Sequence, residues 1–352
     1  MKIERDYDLT KLNTFGISAK ATFFVEIQNE AELKEFFGME EFSARGGSAL
    51  GGKNNKKLFL GGGSNVLFTK DFDGIVILNK LKGIEIIKED GEHVIVRAMG
   101  GEMWQDLVVF SVERRLWGIE NLSLIPGTVG AAPTQNIGAY GAELKNVLEN
   151  VETFDVSTGK KKIFSMKECE LGYRDSVFKN KLKNKYFISA ITLKLNKKEK
   201  KNLAYKTLSD YLEKNKIKIK NSKDISDAVS AIRRSMLPDP ASIPNAGSFF
   251  KNVFVEKGKI EELLKIYPGM PYFEDENGSK ASVFKIPAGW LIEQCGWKGK
   301  RTGNVGVHEK QALVLVNYSN ARGEELLVLA NKIIADVKEK FGLELVPEVN
   351  LV

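Results

Sequence analysis

Cysteine and histidine are both scarce in this 352-residue chain, with two of each. Cys169 and Cys295 lie far apart and match no zinc or dithiol spacing, so the chain is read without a metal site or a redox pair, and a reducing cytoplasm is the expected compartment. His93 and His308 both fall outside the glycine-rich stretches. Long apolar runs are missing too. The longest, such as Ala312–Val316, are far too short to span a bilayer, and the opening Met1-Lys-Ile-Glu-Arg-Asp6 is charged from the start, so neither a secretory leader nor membrane insertion is expected. The lysine-rich runs Asn196–Asn202 and Lys214–Asn221 contain no aromatic residues on which bases could stack. The net charge of +7 is therefore read as solvated surface suited to phosphate-bearing small ligands, with no nucleic-acid partner.

Two glycine-rich stretches carry the strongest signal. Leu58-Phe-Leu60 reads as a short buried strand running into Gly61, Gly62, Gly63, Ser64 and Asn65. Such a turn directs successive N–H groups inward and suits a phosphate, although a bare glycine turn is also a common structural device. It is not a Walker A loop, which needs a lysine after the glycines, nor a Rossmann fingerprint, whose glycines are spaced and open a helix. The second stretch, Leu124–Gly141, has no charged residue and includes Pro126, Gly127, Thr128, Gly130, Gln135, Asn136, Gly138, Ala139, Tyr140 and Gly141. Its small side chains would let main chain lie flat on a planar ligand while Thr128, Gln135 and Asn136 offer hydrogen bonds; a tight loop packed on its own core would look similar. Together the two favour a large phosphorylated cofactor. A third glycine-rich run, Ser43–Asn55, lacks flanking strand residues and reads as a flexible insertion.

Between these stretches, strands are expected at 21–27, 74–78, 84–87, 93–98, 151–156, 162–165 and 186–195, with helices at 29–37 and 103–116. Residues 203–237 read as helical and stop at Pro238-Asp-Pro240, a domain boundary that Pro244 reinforces. Beyond it come a strand near 248–254, helices near 257–267 and 287–295, a strand at 313–316, a long helix from 323 to 341 ended by Gly342, and a closing strand at 343–352. This mixture implies an α+β fold and not a doubly wound sheet.

Several motifs occur in one order: Asn13-Thr-Phe-Gly16, Gly62-Gly-Ser-Asn-Val-Leu67, Leu124-Ile-Pro-Gly127, Gln135-Asn-Ile-Gly-Ala-Tyr-Gly141, Gly172-Tyr-Arg-Asp-Ser-Val-Phe178, Asn245-Ala-Gly-Ser-Phe-Phe-Lys-Asn252, Ala288-Gly-Trp-Leu-Ile292 and Pro347-Glu-Val349. Together they closely resemble the UDP-N-acetylenolpyruvoylglucosamine reductases, flavoenzymes of bacterial peptidoglycan precursor synthesis. The resemblance covers nearly the whole chain. It implies an FAD-binding module of the vanillyl-alcohol-oxidase type at residues 1–237, in lobes of about 1–75 and 76–237. A smaller α+β substrate-binding domain at 238–346 and a strand at 347–352 returning to the flavin site complete it. It further implies noncovalent FAD, NADPH as hydride donor, a UDP-sugar substrate and a monomer.

The same resemblance assigns roles. Arg174 matches the catalytic arginine, whose guanidinium suits the substrate carboxylate; a surface ion pair with Asp175 is the alternative reading. Ser248 matches the proton donor, though by itself it reads more readily as a plain strand hydroxyl. Glu348 matches the catalytic glutamate. Tyr205 matches a tyrosine that closes over the sugar nucleotide, Gln311 another substrate contact, and Lys251 and Asn252 lie where they would orient the reacting groups. Two positions depart from the pattern: Met236 stands where a lysine is expected and Asn350 where an arginine is expected. Arg233 or Arg234, one turn earlier, would compensate for the first. Among rival readings, an oxidase with covalent flavin lacks a histidine or cysteine in a glycine loop. A serine hydrolase using Ser248 and His308 lacks the Gly-x-Ser-x-Gly elbow. A degenerate, non-enzymatic flavin fold would not need Arg174, Ser248 and Glu348 together.

Overall fold

In the computed structural model, residues 1–39, 56–274 and 283–352 are described; the expected insertion at 43–55 lies outside them. The chain divides into two compact units. The first takes Met1–Asp8, Lys20–Gly63 and Phe72–Ser235, and the second Leu9–Ala19, Ser64–Asp71 and Met236–Val352.

The first unit holds two sheets. The run Ile75–Leu78 is apolar at every position because Phe72–Asn79 is an inner strand, paired in parallel with Lys20–Ile27 on one side and Lys57–Leu60 on the other. Ile3–Asp8 completes this sheet antiparallel to Lys20–Ile27. The Asn29 side chain accepts from the Glu32 N–H at 3.0 Å and starts helix Glu30–Gly38. Leu33, Phe36 and Phe37 on that helix share a buried cluster with Phe23, Val25, Ile75 and Ile77.

The second sheet is antiparallel throughout, in the order Lys161–Ser165, Leu148–Asp155, Tyr186–Asn196, His93–Met99, Ile84–Glu89. Helix Trp104–Glu113 buries Trp104, Leu107, Val108 and Ser111, the face its periodicity predicts, against Val94, Val96 and Leu193.

The expected continuous helix at 203–237 is instead two helices, Lys206–Lys214 and Ser222–Met236. Lys216 takes a positive φ of 53°, and Ile217–Lys220 belong to no regular element. Ile217 and Ile219, two residues apart, both pack against the cluster of Leu208, Leu212, Ile225 and Val229, which an unbroken helix would not allow. The Asp224 carboxylate restarts the helix by accepting from the Lys220 and Asn221 N–H groups at 2.7 and 3.0 Å.

In the second unit, Asn245–Ser248, Val314–Asn317, Val305–Val307 and Arg301–Thr302 form one antiparallel sheet. Val253–Glu256, Val283–Ile286 and Phe273–Glu274 form another. The strand expected near 248–254 is thus split between two sheets. Phe249 and Phe250 are consecutive and both almost fully buried, so the segment is covered on both sides and leaves the first sheet there. Helix Gly323–Phe341 buries Leu326, Leu329, Ile333 and Val337, and Gly342, at φ 65°, ends it. The expected closing strand is shorter than its apolar pattern suggests. Asn350–Leu351 pairs in parallel with Val66–Leu67, and Pro347 makes an isolated bridge to Phe250.

The Asn13-Thr-Phe-Gly16 motif is structural here. The Asn13 carboxamide donates to Leu9 O and Ile17 O and accepts from Ile17 N, closing its own loop. Asn317 Nδ2 donates to Phe15 O at 2.8 Å and the Asn245 N–H to Thr14 O at 3.0 Å, which fixes the loop against the strand that carries Ser248.

Candidate active site

Within the first unit the two glycine stretches meet. A Cβ built on Gly61 would fall directly on Thr128 Oγ1, and one on Gly62 would lie 3.1 Å from Gly127 Cα. The missing side chains therefore serve first to let these two turns approach each other. Gly63 is buried, with φ 63°, and Pro126 is exposed at the rim. Gly130 donates its N–H to Gly100 O at 2.9 Å, and Gln135 ends the short 3₁₀ segment Val129–Gln135. Thr128 is buried, and its Oγ1 has no hydrogen-bond partner among the described residues. A hydroxyl in that condition costs about 1–3 kcal/mol unless something else satisfies it.

Asn136, fully buried at a φ of 42°, is occupied by the protein itself. Its Nδ2 donates to Glu143 Oε2 and Gly172 O, and its Oδ1 accepts from the Lys145 N–H. It shapes the loop and has no side-chain donor left for a ligand. By tying Gly172 to the glycine stretch it also places the turn that carries Arg174. Arg174 has a positive φ of 52°, and its Nη2 donates to Gly138 O at 2.7 Å. A Cβ on Gly138 would sit 3.0 Å from Arg174 Nη1, so Gly138 leaves room for the guanidinium. Asp175 receives both its oxygens' bonds from Asn180 Nδ2, at 2.8 and 2.9 Å.

Tyr140 follows with a φ of 48°, its ring edge-on to Tyr205 at 5.3 Å between centroids. Burial raises the Tyr140 phenol above its ordinary value. Tyr205 itself is 47% exposed and stands just before helix Lys206–Lys214. Two residues that no motif marked hold this pair together. Asn121 Nδ2 donates to Tyr140 O at 2.8 Å and Asn202 O at 2.9 Å, and Asn202 Nδ2 donates to Gly141 O at 2.9 Å. Of the two candidate arginines, Arg234 is exposed, whereas Arg233 is half-buried within electrostatic reach of Tyr140 and Arg174. Its Nε is sealed from solvent without a hydrogen-bond partner among the described residues, and burial lowers its pKa.

In the second unit, Ser248 ends its strand, and the Phe249 carbonyl accepts from the Glu348 N–H at 2.7 Å. The Phe250–Pro347 bridge continues that pairing, and the Lys251 N–H reaches Val346 O at 2.9 Å. The backbone beside Ser248 is therefore the backbone that carries Glu348. Asn65, the residue after Ser64, donates from Nδ2 to Glu348 O at 3.4 Å. Asn252 Oδ1 accepts from the Ala288 N–H at 3.1 Å, and Gln311 Oε1 from the Leu313 N–H at 3.3 Å. His308 Nδ1 accepts from the Lys310 N–H at 3.3 Å and so belongs to its own turn.

A phosphate-bearing cofactor fits the first unit. The orphaned Thr128 hydroxyl and the sealed Arg233 Nε are both donors; the first borders the glycine turn at Gly61, and Arg233 lies within electrostatic reach of Tyr140 and Arg174. Among the described residues no helix is long and apolar enough to cross a membrane.

Two family models match the chain: an FAD-binding domain over residues 49–166, and the C-terminal domain of UDP-N-acetylenolpyruvoylglucosamine reductase over residues 239–352. An α+β fold with an FAD-binding domain ahead of a dedicated C-terminal domain defines a flavin-dependent oxidoreductase. UDP-N-acetylenolpyruvoylglucosamine reductases of Flavobacterium johnsoniae and Pseudomonas putida are 45% and 41% identical to it, over 100% and 99% of this chain and 100% and 98% of theirs. The crystal structure of the Thermus caldophilus reductase superposes with a TM-score of 0.64 at 23% identity, covering 100% of this chain and 99% of that one, and supports the fold. The chain belongs to the UDP-N-acetylenolpyruvoylglucosamine reductase family.

Proposed function

We propose that this chain reduces the enolpyruvyl group of UDP-N-acetylglucosamine enolpyruvate to give UDP-N-acetylmuramate, with NADPH as electron source and noncovalent FAD, in peptidoglycan precursor synthesis. It acts as a cytoplasmic monomer and binds no nucleic acid. The observation that carries the reading is the full-length match to the reductases; the backbone pairing that joins the Ser248 and Glu348 segments supports the roles. Bound FAD would supply the hydride chemistry between NADPH and the terminal carbon of the enolpyruvyl group.

Hydride arriving there sends negative charge into the carbon and carboxylate beside it, so the protein must hold that charge and supply one proton. Arg174 grips the carboxylate with two N–H groups, and its bond to Gly138 O fixes the guanidinium. Ser248 gives its hydroxyl proton to the neighbouring carbon, and Glu348 belongs to the same proton supply. Lys251, Asn252 and Gln311 orient the sugar nucleotide, and Tyr205 closes over it with Tyr140 behind. Gly61, Gly62, Gly63, Ser64, Asn65 and the stretch Pro126–Gly141 cradle the cofactor, with Thr128 donating to it. Arg233 supplies the cation that Met236 does not.

The test is a visible spectrum of the purified protein, then anaerobic addition of NADPH and of the enolpyruvyl sugar nucleotide. Flavin absorbance is expected, bleached by the first and restored by the second, with a product two mass units above the substrate. Reduced flavin that the sugar nucleotide fails to reoxidise would defeat the assignment.

A further inference from the structure

Asn350, where the sequence pattern leads one to expect arginine, is tied to Asn65 through both its backbone and its side chain. Its own N–H and its side-chain Nδ2 converge on one acceptor, the Asn65 carbonyl, at 3.1 and 2.9 Å. Asn65 answers with its own Nδ2 on Glu348 O at 3.4 Å. Two residues on, the Val352 N–H donates to Leu67 O at 2.9 Å, while Val352 O accepts from the Thr69 N–H at 2.7 Å and Thr69 Oγ1 at 2.8 Å.

Glu348 therefore has two anchors. Its N–H is fixed to Phe249 O, next to Ser248, and its carbonyl is held by Asn65, next to the glycine turn. The ribbon doing this is short: only Asn350 and Leu351 pair with Val66 and Leu67. A two-stranded ribbon of that length is marginal on its own, and the carboxamide bond doubles the donors that Asn350 sets on the Asn65 carbonyl.

We propose that Asn350 is a positioning residue that couples seating of the cofactor at Asn65 to placement of Glu348. The proposal rests on the reductase reading above. Ordering Asn65 from the cofactor side orders the acceptor on which Asn350 closes, and Glu348 is drawn into its working position by the same event. Binding of the cofactor and readiness of the proton supply thus become one equilibrium.

Hydrogen exchange of the full chain with and without FAD tests the tie directly. In the wild-type protein, the Asn350 and Val352 amides are expected to exchange at least tenfold more slowly once FAD is bound. In Asn350→Ala that difference falls below twofold, while the Glu348 amide, bonded to Phe249, stays protected. Stopped-flow mixing of the same variant should show flavin reduction by NADPH within twofold of wild type and reoxidation by the enolpyruvyl sugar nucleotide slowed at least tenfold. Should Asn350→Ala fail to fold, the isosteric Asn350→Asp removes the same donor. Wild-type amides indifferent to FAD, or equal slowing of both half-reactions, overturn the proposal. Protein that binds no flavin at all would instead overturn the reductase reading, and the coupling with it.

Discussion

The packing of the two glycine turns makes a quantitative prediction. Gly61→Ala places a methyl group on Thr128 Oγ1, and threonine, branched at Cβ and buried here, has little freedom to rotate away. Overpacking of this kind costs about 1–3 kcal/mol. Thr128→Ala removes the obstructing atom; the nearest neighbours of the new methyl group are then Thr128 Cβ at 3.4 Å and Ala131 Cβ at 3.6 Å, ordinary contact distances. The double variant should therefore recover most of the loss, with a coupling of at least about 1 kcal/mol between the two sites. Thr128→Ala alone, in flavin-free protein, should be neutral or slightly stabilising, because it deletes a buried hydroxyl with no partner among the described residues.

Flavin binding separates the two effects. If the Thr128 hydroxyl serves the cofactor, its loss should weaken FAD binding by roughly 5- to 13-fold, the equivalent of one hydrogen bond of about 1–1.5 kcal/mol. Urea unfolding of the four proteins without flavin gives the coupling, and fluorescence titration gives the FAD affinities. Additive unfolding free energies would refute the contact argument. An unchanged FAD affinity in Thr128→Ala would remove the hydroxyl from the cofactor's partners.

Ser248→Ala should leave reduction by NADPH nearly untouched and slow reoxidation by the sugar nucleotide about 10²–10⁴-fold, the usual worth of a general acid; equal slowing of both steps would exclude Ser248 as proton donor. Arg233→Ala should raise KM for NADPH or the sugar nucleotide while Arg234→Ala should not, since only the Arg233 guanidinium is turned inward; identical kinetics for the two variants would end that assignment. Glu152 binds Arg97 through two bonds of 2.6 and 2.8 Å and Lys161 at 2.7 Å, and the Arg97 bonds chiefly hold its carboxyl at about 2, against 4.5 unpaired. A depressed carboxyl stabilises above its unfolded value and loses that contribution as pH falls through the folded one, so Glu152→Gln should cost up to about 3 kcal/mol at neutral pH. The gap should close between pH 4.5 and about 2; a gap independent of pH, measured by urea unfolding, would contradict this.

Much of the fold was legible because local chemistry and tertiary use agree. Asn29 before an acidic first turn, the apolar stripe from Leu326 to Val337 and the uninterrupted Ile75–Leu78 each allow few alternatives, and each forms what its pattern predicts. The misread segments are those in which the burial period changes within a few residues. Lys206–Lys214 and Ser222–Met236 are amphipathic at helical spacing, but Ile217 and Ile219 between them alternate at strand spacing, and seven residues are too few for a window to separate from its flanks. Phe249-Phe250 presents the same difficulty: a doublet covered on both sides looks like strand interior, although it is the point where the chain leaves the sheet.

The site divides along a different line. Three successive glycines before Ser64 stand out in sequence because each costs backbone entropy, whereas Arg174 is marked only by the resemblance and by itself reads as a partner of Asp175. Asn121, Asn202 and Asn350 were not identifiable as structural ties, since a carboxamide reveals nothing of its role until its acceptors are known. Their acceptors are backbone carbonyls: Tyr140 O and Asn202 O for Asn121, Gly141 O for Asn202, and Asn65 O for Asn350. Every chain offers such oxygens at every residue, so sequence carries no mark of which one is chosen. Asn136 shows the converse, because its type and place suggested a ligand contact, yet its three bonds all go to the protein. A buried asparagine in a glycine-rich loop is thus ambiguous in sequence between holding a ligand and holding the loop, and only the count of its satisfied donors separates the two.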